Sequence, residues 1–334
     1  MKVQRGSFDS IRPLEGPRAL SLGTFDGVHR GHQAILRELH LVASRADLAG
    51  STVVTFGLHP RGVLSERGAP PSITDLDERI ALLSAAGIDD LVVLDFDAQL
   101  ATVEYDHFVN DLLVRRLNMQ HFVLGHDVHF GRERRGNALS VAALAEDVGF
   151  NVSQVASVRD AGLAISSTRI RAALQAGELD AAVRWAGHPI TFSGVVEEGR
   201  KLGRQIGFPT ANLPLAPGKV VLASGVYAGW ARAGEAGWQA AVVNLGHAPT
   251  VSEDGPLRLE AHLLDAELEL YAKRLELALG TRLRSERKFG SKEELGRQIA
   301  DDCAVARRWL ADPPLQARPA RLADLELDSS APPA

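Results

Sequence analysis

Short apolar runs alternate with helical patterns through the first half of the chain. Five runs have the length and composition of buried strands: residues 19–22, 51–56, 91–94, 121–124 and 152–156. Between them, apolar residues recur at helical spacing, most clearly from Tyr105 to Leu117. This alternation predicts an α/β domain with a doubly wound parallel sheet, whose ligands bind at the carboxyl ends of the strands.

The pattern changes near Gly187. Five β-like runs follow without intervening helices: residues 191–196, 225–233, 238–245, 257–264 and 275–279. Glycine and proline separate them, which predicts a small antiparallel β-barrel. A last helical pattern runs from Ser291 to Leu310, and Ser291 with Glu294 forms a capping box at its start.

Three regions follow from this pattern. We predict a first domain over residues 1–187 and a barrel domain with a C-terminal helix over residues 188–312. After Asp312 the composition turns to proline, alanine and serine. Residues 313–334 are therefore expected to form a disordered tail.

Composition narrows the function classes. The chain has 334 residues, enough for two cores, and its net charge of −5 gives no general attraction to nucleic acid or anionic membranes. Cys303 is the only cysteine, and residues 1–16 lack the apolar core of a signal peptide. We expect a cytoplasmic protein with small-molecule substrates. The sequence does not predict an oligomeric state.

The stretch Gly23–His32 combines a strand end, a glycine-punctuated turn and a helix start. A helix start offers unpaired N–H groups and a positive dipole end, so it favours anions. Gly23 and Gly27 let a ligand approach the backbone, and His29 and His32 can point donors toward it. Two alternatives are a zinc pair, for which no nearby cysteine completes a site, and ordinary surface histidines.

Three other loops follow predicted strands of this half and are expected to face the same crevice. They are Gly57–Pro60, Gly125–Gly131 and Ile165–Arg171. In the third loop the hydroxyls of Ser167 and Thr168 open a helix. They suit either capping or, with Arg171 nearby, phosphate binding.

A second candidate site lies in the barrel half, between Gly199 and Asn212. Spaced glycines mixed with basic residues suit a loop that closes over phosphates, although a solvated basic turn is the alternative. The Pro-Thr-Ala-Asn run predicts a rigid turn that aims the Thr210 hydroxyl and the Asn212 amide together. Their oxygens are hard ligands of the kind that Mg²⁺ accepts.

Glu260 is the last candidate. Strand alternation places Arg258, Glu260 and His262 on one face, which by itself is typical of the solvated face of an edge strand. The neighbouring motifs favour a functional role for this glutamate.

These motifs resemble a known family. Gly23–His32 resembles the His-x-Gly-His signature of nucleotidylyltransferases, in the longer form of bacterial bifunctional riboflavin kinase/FAD synthetases. The three other loops resemble that family's Thr-Phe-x-Pro-His-Pro, Gly-x-Asp-Phe-x-Phe-Gly and Ile-Ser-Ser-Thr-x-Ile-Arg segments. Residues 207–212 and 259–265 resemble its riboflavin kinase module. Four positions depart from the family pattern: Leu58, Val128, Ala266 and Ala272.

The resemblance implies the following site residues. His29, His32 and Glu260 are implied to be catalytic, Glu260 as the base of the kinase. ATP in the adenylyltransferase is assigned to Gly23, Phe25, Asp26, Gly27, His29, Gly31, His32, Ser167, Thr168 and Arg171. In the same adenylyltransferase domain, the residues implied to bind flavin are His59, Asp127 and Phe130. ATP in the kinase is assigned to Gly199, Lys201, Gly203, Arg204, Gly207, Thr210 and Asn212, and Mg²⁺ to Thr210 and Asn212.

The implied function is two ATP-dependent steps, with riboflavin, FMN and FAD as substrates or products and Mg²⁺ as cofactor. Riboflavin is phosphorylated to FMN in the barrel, and FMN is adenylylated to FAD in the sheet domain with release of pyrophosphate. One alternative is an adenylyltransferase for another phosphate ester, with the barrel as a substrate-binding module. Another is a degenerate flavin- or nucleotide-binding regulator.

Overall fold

The chain forms two compact units. A computed structural model describes residues 1–65, 68–199, 202–234, 236–247, 257–265 and 269–319. The first unit contains residues 1–70 and 76–166. The second contains residues 71–75 and the described residues from Ser167 onward.

The first unit is built on a parallel sheet. Its described strands are β1 (Lys2–Gly6), β2 (Arg18–Leu22), β3 (Gly50–Phe56), β4 (Asp90–Leu94), β5 (Met119–Gly125) and β6 (Asn151–Val155). They are ordered β1-β4-β3-β2-β5-β6, and each neighbouring pair is parallel. The strand order reverses at β2, which lies between β3 and β5. The predicted doubly wound parallel sheet is confirmed.

Helices connect these strands. They are α1 (Arg30–Arg45), α2 (Arg61–Leu64), α3 (Leu76–Ala85), α4 (Tyr105–His107) and α5 (Ala138–Val148). Helix α4 continues as a π-helix over Phe108–Arg116, where an ordinary amphipathic α-helix was expected. The hairpin β7 (Arg159–Asp160) and β8 (Leu163–Ala164) ends the unit. Every residue of β2 and β4 is buried, as expected for central strands covered on both faces.

The second unit is an antiparallel barrel preceded by two helices. Its elements are α6 (Ser167–Ala176), α7 (Leu179–Ala186), β9 (Ile190–Val195), α8 (Leu202–Gln205), β10 (Ala211–Pro214), β11 (Gly225–Ala233), β12 (Gln239–His247), β13 (Leu257–Leu263), β14 (Arg274–Ser285) and α9 (Lys292–Ala311). The strand order is β10-β13-β12-β11-β14-β9. Just past β9, the Glu197 N–H donates to the Asn212 carbonyl of β10 at 2.9 Å. That bond nearly closes the predicted barrel.

Helices α6 and α7 belong to the barrel unit by their contacts. The Ala223 N–H donates to the Leu174 carbonyl of α6 at 3.1 Å. A Cβ at Gly177 would lie 2.3 Å from Arg282 Nη1, so strand β14 approaches the turn between the two helices closely. The two compact units therefore meet along the chain between Ser166 and Ser167, and the functional boundary near Gly187 stays a prediction.

The C-terminal helix is held on the barrel by a partly buried ion pair. Arg284 of β14 donates to Asp302 of α9 from Nε at 2.9 Å and from Nη2 at 2.7 Å. Ser291 caps the helix by accepting from the Glu294 N–H at 3.1 Å. Residues 313–319 are described and include a 3₁₀ turn over Leu315–Ala317, so the prediction of disorder is wrong for them. Residues 320–334 lie outside the described residues.

No described helix combines the length and apolar character needed to cross a membrane.

Candidate active sites

The Gly23–His32 stretch lies at the topological switch point of the parallel sheet. It follows β2 and leads into α1. The segments Gly57–Pro60 and Gly125–Gly131 follow or end β3 and β5, the two neighbours of β2. Parallel strands end at one edge, so these three segments border one crevice, as predicted.

The turn holds a strained backbone. Phe25 has φ 48° and Val28 has φ 32°, and Gly27 between them has φ 79°. Positive φ is a costly conformation for a bulky or β-branched residue. Both side chains are completely buried, at 1% exposure for Phe25 and 0% for Val28. Their burial stabilises a turn that the local sequence alone would not hold.

His29 caps the helix with its own ring. Its Nδ1 accepts from the backbone N–H of His32 at 3.3 Å, so a neutral His29 carries its proton on Nε2. A Cβ at Gly31 would lie 3.1 Å from the same ring. The glycine of His-x-Gly-His therefore leaves room for the imidazole to fold back over the helix start.

His32 is held as a neutral imidazole. Its ring stacks on His29 with centroids 3.7 Å apart, and Phe25 lies 5.1 Å away. Desolvation lowers the pKa of His32 well below its usual value, and the nearby charges of His29 and Arg79 lower it further. Among the described residues, no group of three or more His, Cys, Asp and Glu side chains could hold a metal ion. The zinc interpretation of the pair therefore lacks a third ligand there.

The residues predicted to bind flavin in this half have mixed environments. His59 Nδ1 accepts from the Arg61 N–H at 3.1 Å, and the Asp127 side chain is 80% exposed. Phe130 lies 5.9 Å from Phe108, ring to ring, and packs against the core of the sheet. Leu58 is 70% exposed in its loop. Contact with flavin stays a prediction for all three assigned residues.

Ser167, Thr168 and Arg171 lie in the first turns of α6, in the second unit. Their neighbour Arg169 lies over the Trp185 ring at 3.9 Å from its centroid, which fastens α6 to α7. Phosphate binding by the three assigned residues stays a prediction.

In the barrel, two glycines of the candidate phosphate loop pack tightly on residues 208–212. A Cβ at Gly199 would lie 2.3 Å from the Asn212 amide, and one at Gly203 would lie 2.2 Å from the Phe208 carbonyl. The prediction of a rigid turn is wrong for Asn212, which lies in strand β10. Pairing with β13 extends the backbone there and overrides the local turn preference.

A small cavity gathers several predicted residues. It is lined by Gly199, Arg204, Pro209, Thr210, Asn212 and Tyr271. Gly207 has φ 87°, a conformation that favours glycine, at the bend before Phe208. Lys201 lies outside the described residues. The sequence interpretation missed Tyr271, although it directly precedes Ala272, one of the four positions that depart from the family pattern.

Glu260 lies in an inner strand rather than an edge strand. Strand β13 pairs with β10 on one side and β12 on the other, so Glu260 stands between Asn212 and Asn244 in register. The predicted alternation is confirmed, since Leu259 and Ala261 are buried. Burial raises the pKa of Glu260, Arg258 opposes that rise and Glu286 adds to it. The solvated-edge interpretation is wrong.

Two further residues bear on this site. His262 Nδ1 hydrogen-bonds to the Pro209 carbonyl at 2.9 Å, and its ring lies 5.5 Å from Phe208. It therefore supports the segment that carries Thr210, a role that alternation alone did not reveal. Ala272, where the family usually has glycine, adopts φ 58°. Ala266 lies outside the described residues.

Family models match both units. Residues 12–169 match the model described as FAD synthetase, and residues 186–310 match the model described as riboflavin kinase. The fold and these matches define a two-domain flavin nucleotide enzyme, with its FAD synthetase domain first and its kinase barrel second.

Similar proteins extend over nearly the whole chain. The bifunctional riboflavin kinase/FMN adenylyltransferase of Escherichia coli (strain K12) is 36% identical over 310 residues, covering 92% of this chain and 98% of that protein. The protein of that name from Pseudomonas fluorescens is 38% identical over 311 residues, covering 93% and 98%. The chain belongs to the bifunctional riboflavin kinase/FMN adenylyltransferase family.

A solved structure shares the architecture. The crystal structure of a protein named macrolide-efflux protein, from Streptococcus pneumoniae, matches with a TM-score of 0.82 and 28% identity. The match covers 92% of this chain and all of that one, 100%.

Proposed function

We propose that the two family activities of this chain reside in the two sites described above. The sheet site transfers an adenylyl group from ATP to FMN, and the barrel site transfers a phosphoryl group from ATP to riboflavin. The observation that carries this division is that the two family models fall on different structural elements, each with its own candidate site. No observation favours another phosphate ester or a purely regulatory role.

In the sheet site, an FMN phosphate oxygen attacks the α-phosphorus of ATP. The bond to the β-phosphate oxygen breaks, and pyrophosphate leaves. His29 and His32 act as hydrogen-bond donors to the phosphate oxygens as charge develops there, and the Gly23 turn admits the phosphates to the helix start. Positioning and electrostatics supply the catalysis. Phosphate binding by Ser167, Thr168 and Arg171, which the family resemblance implies, stays a prediction.

In the barrel site, Glu260 accepts the proton of the riboflavin 5′-hydroxyl as that oxygen attacks the γ-phosphorus of ATP. ADP leaves as the bond to the β-phosphate oxygen breaks. The inner position of Glu260 supports this role, because pairing on both sides fixes the strand that carries it. The segment from Gly199 to Gly207 covers the ATP phosphates.

Mg²⁺ fits the oxygen donors beside Glu260. The Thr210 hydroxyl and the Asn212 amide oxygen belong to residues that line one cavity, and both are hard ligands. When bound, the ion would neutralise phosphate charge.

We place the enzyme in the cytoplasm. A lone cysteine among 334 residues suits a reducing compartment. Its partners are the small molecules ATP, riboflavin and FMN.

Turnover of the purified full-length chain tests this function. Riboflavin, ATP and Mg²⁺ are incubated with the protein, and FMN and FAD are resolved by chromatography. We expect FMN to form first and FAD to follow. Formation of FAD only from supplied FMN would leave the barrel as a binding module, and formation of neither flavin would favour a regulator.

A further inference from the structure

Arg79 is a buried cation at the carboxyl end of β3. It lies on α3 with 8% exposure, beside the buried leucines Leu82 and Leu83. Its Nη1 donates to the Phe56 carbonyl at 2.9 Å and to the Thr55 hydroxyl at 3.3 Å. Burial of a guanidinium is costly, so a helix that only had to cover the sheet would favour an apolar residue at this position.

Hydrogen bonds connect Arg79 to the turn after β2, in the Gly23–His32 stretch. The Thr55 hydroxyl, which accepts from Arg79, donates to the Thr24 carbonyl at 3.1 Å. The Gly23 N–H donates to the Val54 carbonyl at 3.1 Å. One hydroxyl can accept and donate at the same time, so two consecutive hydrogen bonds join Arg79 through Thr55 to Thr24.

The same cation acts on His32. The charged or titratable groups that act on this ring are His29, from the start of α1, and Arg79, from α3. The same turn also buries the carboxyl group of Asp26. Arg79 alone among these carries a positive charge at every working pH. His32 Nδ1 is shielded from solvent and has no hydrogen-bond partner among the described residues. A protonated ring would therefore be poorly compensated.

We propose that Arg79 is a positioning residue of the adenylyl-transfer site. Through Thr55 it fixes the backbone at Thr24, and its charge keeps the His32 ring neutral as a hydrogen-bond donor for the ATP phosphates. This inference rests on the proposed function of His32.

Two matched variants separate charge from hydrogen bonding. Arg79→Gln keeps donors but loses the charge, and Arg79→Lys keeps the charge but loses the planar fork. Without the repulsive cation the pKa of His32 rises, so at a given pH more of the ring is protonated. The acid limb of FAD formation from FMN should move up by about one pH unit in Arg79→Gln. It should stay in place in Arg79→Lys.

Thr55→Val breaks the connection to Thr24 without changing charge. It should therefore lower kcat/KM for FAD formation about 10-fold and leave the acid limb of the pH profile in place.

The full-length variants are assayed for FAD formation between about pH 5 and 9. Far-UV circular dichroism and urea unfolding of the same preparations report folding of the sheet unit, because the kinase site lies in the other unit. Histidine NMR titration of His32 gives a readout that does not depend on catalysis. A raised pKa of His32 in Arg79→Gln but not in Arg79→Lys supports the proposal. Equal loss of FAD formation at all pH values, with the pKa of His32 unchanged, would overturn it in favour of a structural role.

The histidine titration also separates this proposal from the function on which it rests. If the pKa of His32 rises in Arg79→Gln while His32→Ala leaves FAD formation intact, the catalytic assignment of His32 fails and the electrostatic effect of Arg79 stands. If His32→Ala abolishes FAD formation but the pKa of His32 is insensitive to Arg79, the reverse holds.

Discussion

At the scale of single residues, both candidate sites contain a group whose pKa is shifted from its ordinary value. His32 is kept neutral by burial and by neighbouring positive groups. The pKa of Glu260 is shifted in the opposite direction, upward. Burial and Glu286 favour its neutral acid, while Arg258 favours the carboxylate. Perturbed groups of this kind are common at functional sites. The residue types could be read from the sequence, but these environments could not, since distant elements create them.

The pKa of Glu260 should set the acid limb of FMN formation. A base must be deprotonated, and burial raises the pKa of Glu260, so activity should fall with decreasing pH earlier than for an ordinary glutamate. Glu286→Gln removes a repulsive negative charge, lowers the pKa of Glu260 and should move the limb to lower pH. The measurement is kcat/KM for riboflavin between about pH 5 and 8. A limb that moves upward, or not at all, in Glu286→Gln would contradict this account.

Ala272→Gly should stabilise the barrel unit. The left-handed conformation at φ 58° costs a residue with a Cβ about 1–2 kcal/mol, and glycine removes this cost. Glycine also raises the conformational entropy of the unfolded state, which lowers stability by about 0.4–1 kcal/mol. The difference predicts a gain in the free energy of unfolding of about 0–1.6 kcal/mol. Urea unfolding followed by tryptophan fluorescence measures it, because Trp185, Trp230, Trp238 and Trp309 are the only four tryptophans and all lie in this unit. A loss of stability would show that the strain is absent.

At the scale of elements, hydrophobic spacing predicted most strands and helices correctly. Its failures have physical causes. Nine residues are too few to separate the spacing of the π-helix over Phe108–Arg116 from that of an α-helix. The proline before Thr210 favoured a turn, but long-range pairing of β10 with β13 made Asn212 part of a strand. Neither pairing partners nor strand order can be read from local pattern, so Glu260 resembled an edge residue.

The ion pair between β14 and α9 should make the largest electrostatic contribution to the packing of the C-terminal helix on the barrel. Asp302→Asn leaves the Arg284 guanidinium without its carboxylate, and the Asp302 side chain is only 6% exposed. We expect a loss of about 2–3 kcal/mol, below the upper values for fully buried pairs because Arg284 is partly exposed. Fluorescence-detected urea unfolding is the measurement.

Asp265→Asn is the matched control for the same helix, because its partner Arg307 lies on α9. Its pair with Arg307 joins side chains that are 73% and 50% exposed, so the loss of stability should be clearly smaller than in Asp302→Asn. Equal losses in the two variants would show that the Arg284 pair carries no special weight.

At the scale of the whole molecule, the two compact units divide the chain before α6. Sequence pattern predicted the change of architecture near Gly187, where helices give way to strands. It could not predict that α6 and α7 pack with the barrel, because those contacts join residues far apart in sequence, such as Leu174 with Ala223. Residues between the matched segments, 170–185, therefore belong structurally with the kinase barrel.

A fragment of residues 167–319 should be more stable than one of residues 188–312, the predicted barrel domain. The shorter fragment loses the buried apolar residues Leu174, Leu179 and Val183, each worth about 1.5–3 kcal/mol when fully buried. Both fragments would be compared by urea unfolding and by FMN formation. Equal stability and activity would place the functional boundary near Gly187 after all.

Two variants measured side by side test the division of labour most directly. His32→Ala and Glu260→Gln are assayed for FMN from riboflavin and for FAD from supplied FMN. His32→Ala should lose about 10²-fold in FAD formation and keep FMN formation, whereas Glu260→Gln should lose about 10²–10⁴-fold in FMN formation and keep FAD formation. A mixture of the two should convert riboflavin to FAD much faster than either variant does alone. Loss of both steps in either variant, or of neither step, would contradict two separate active sites.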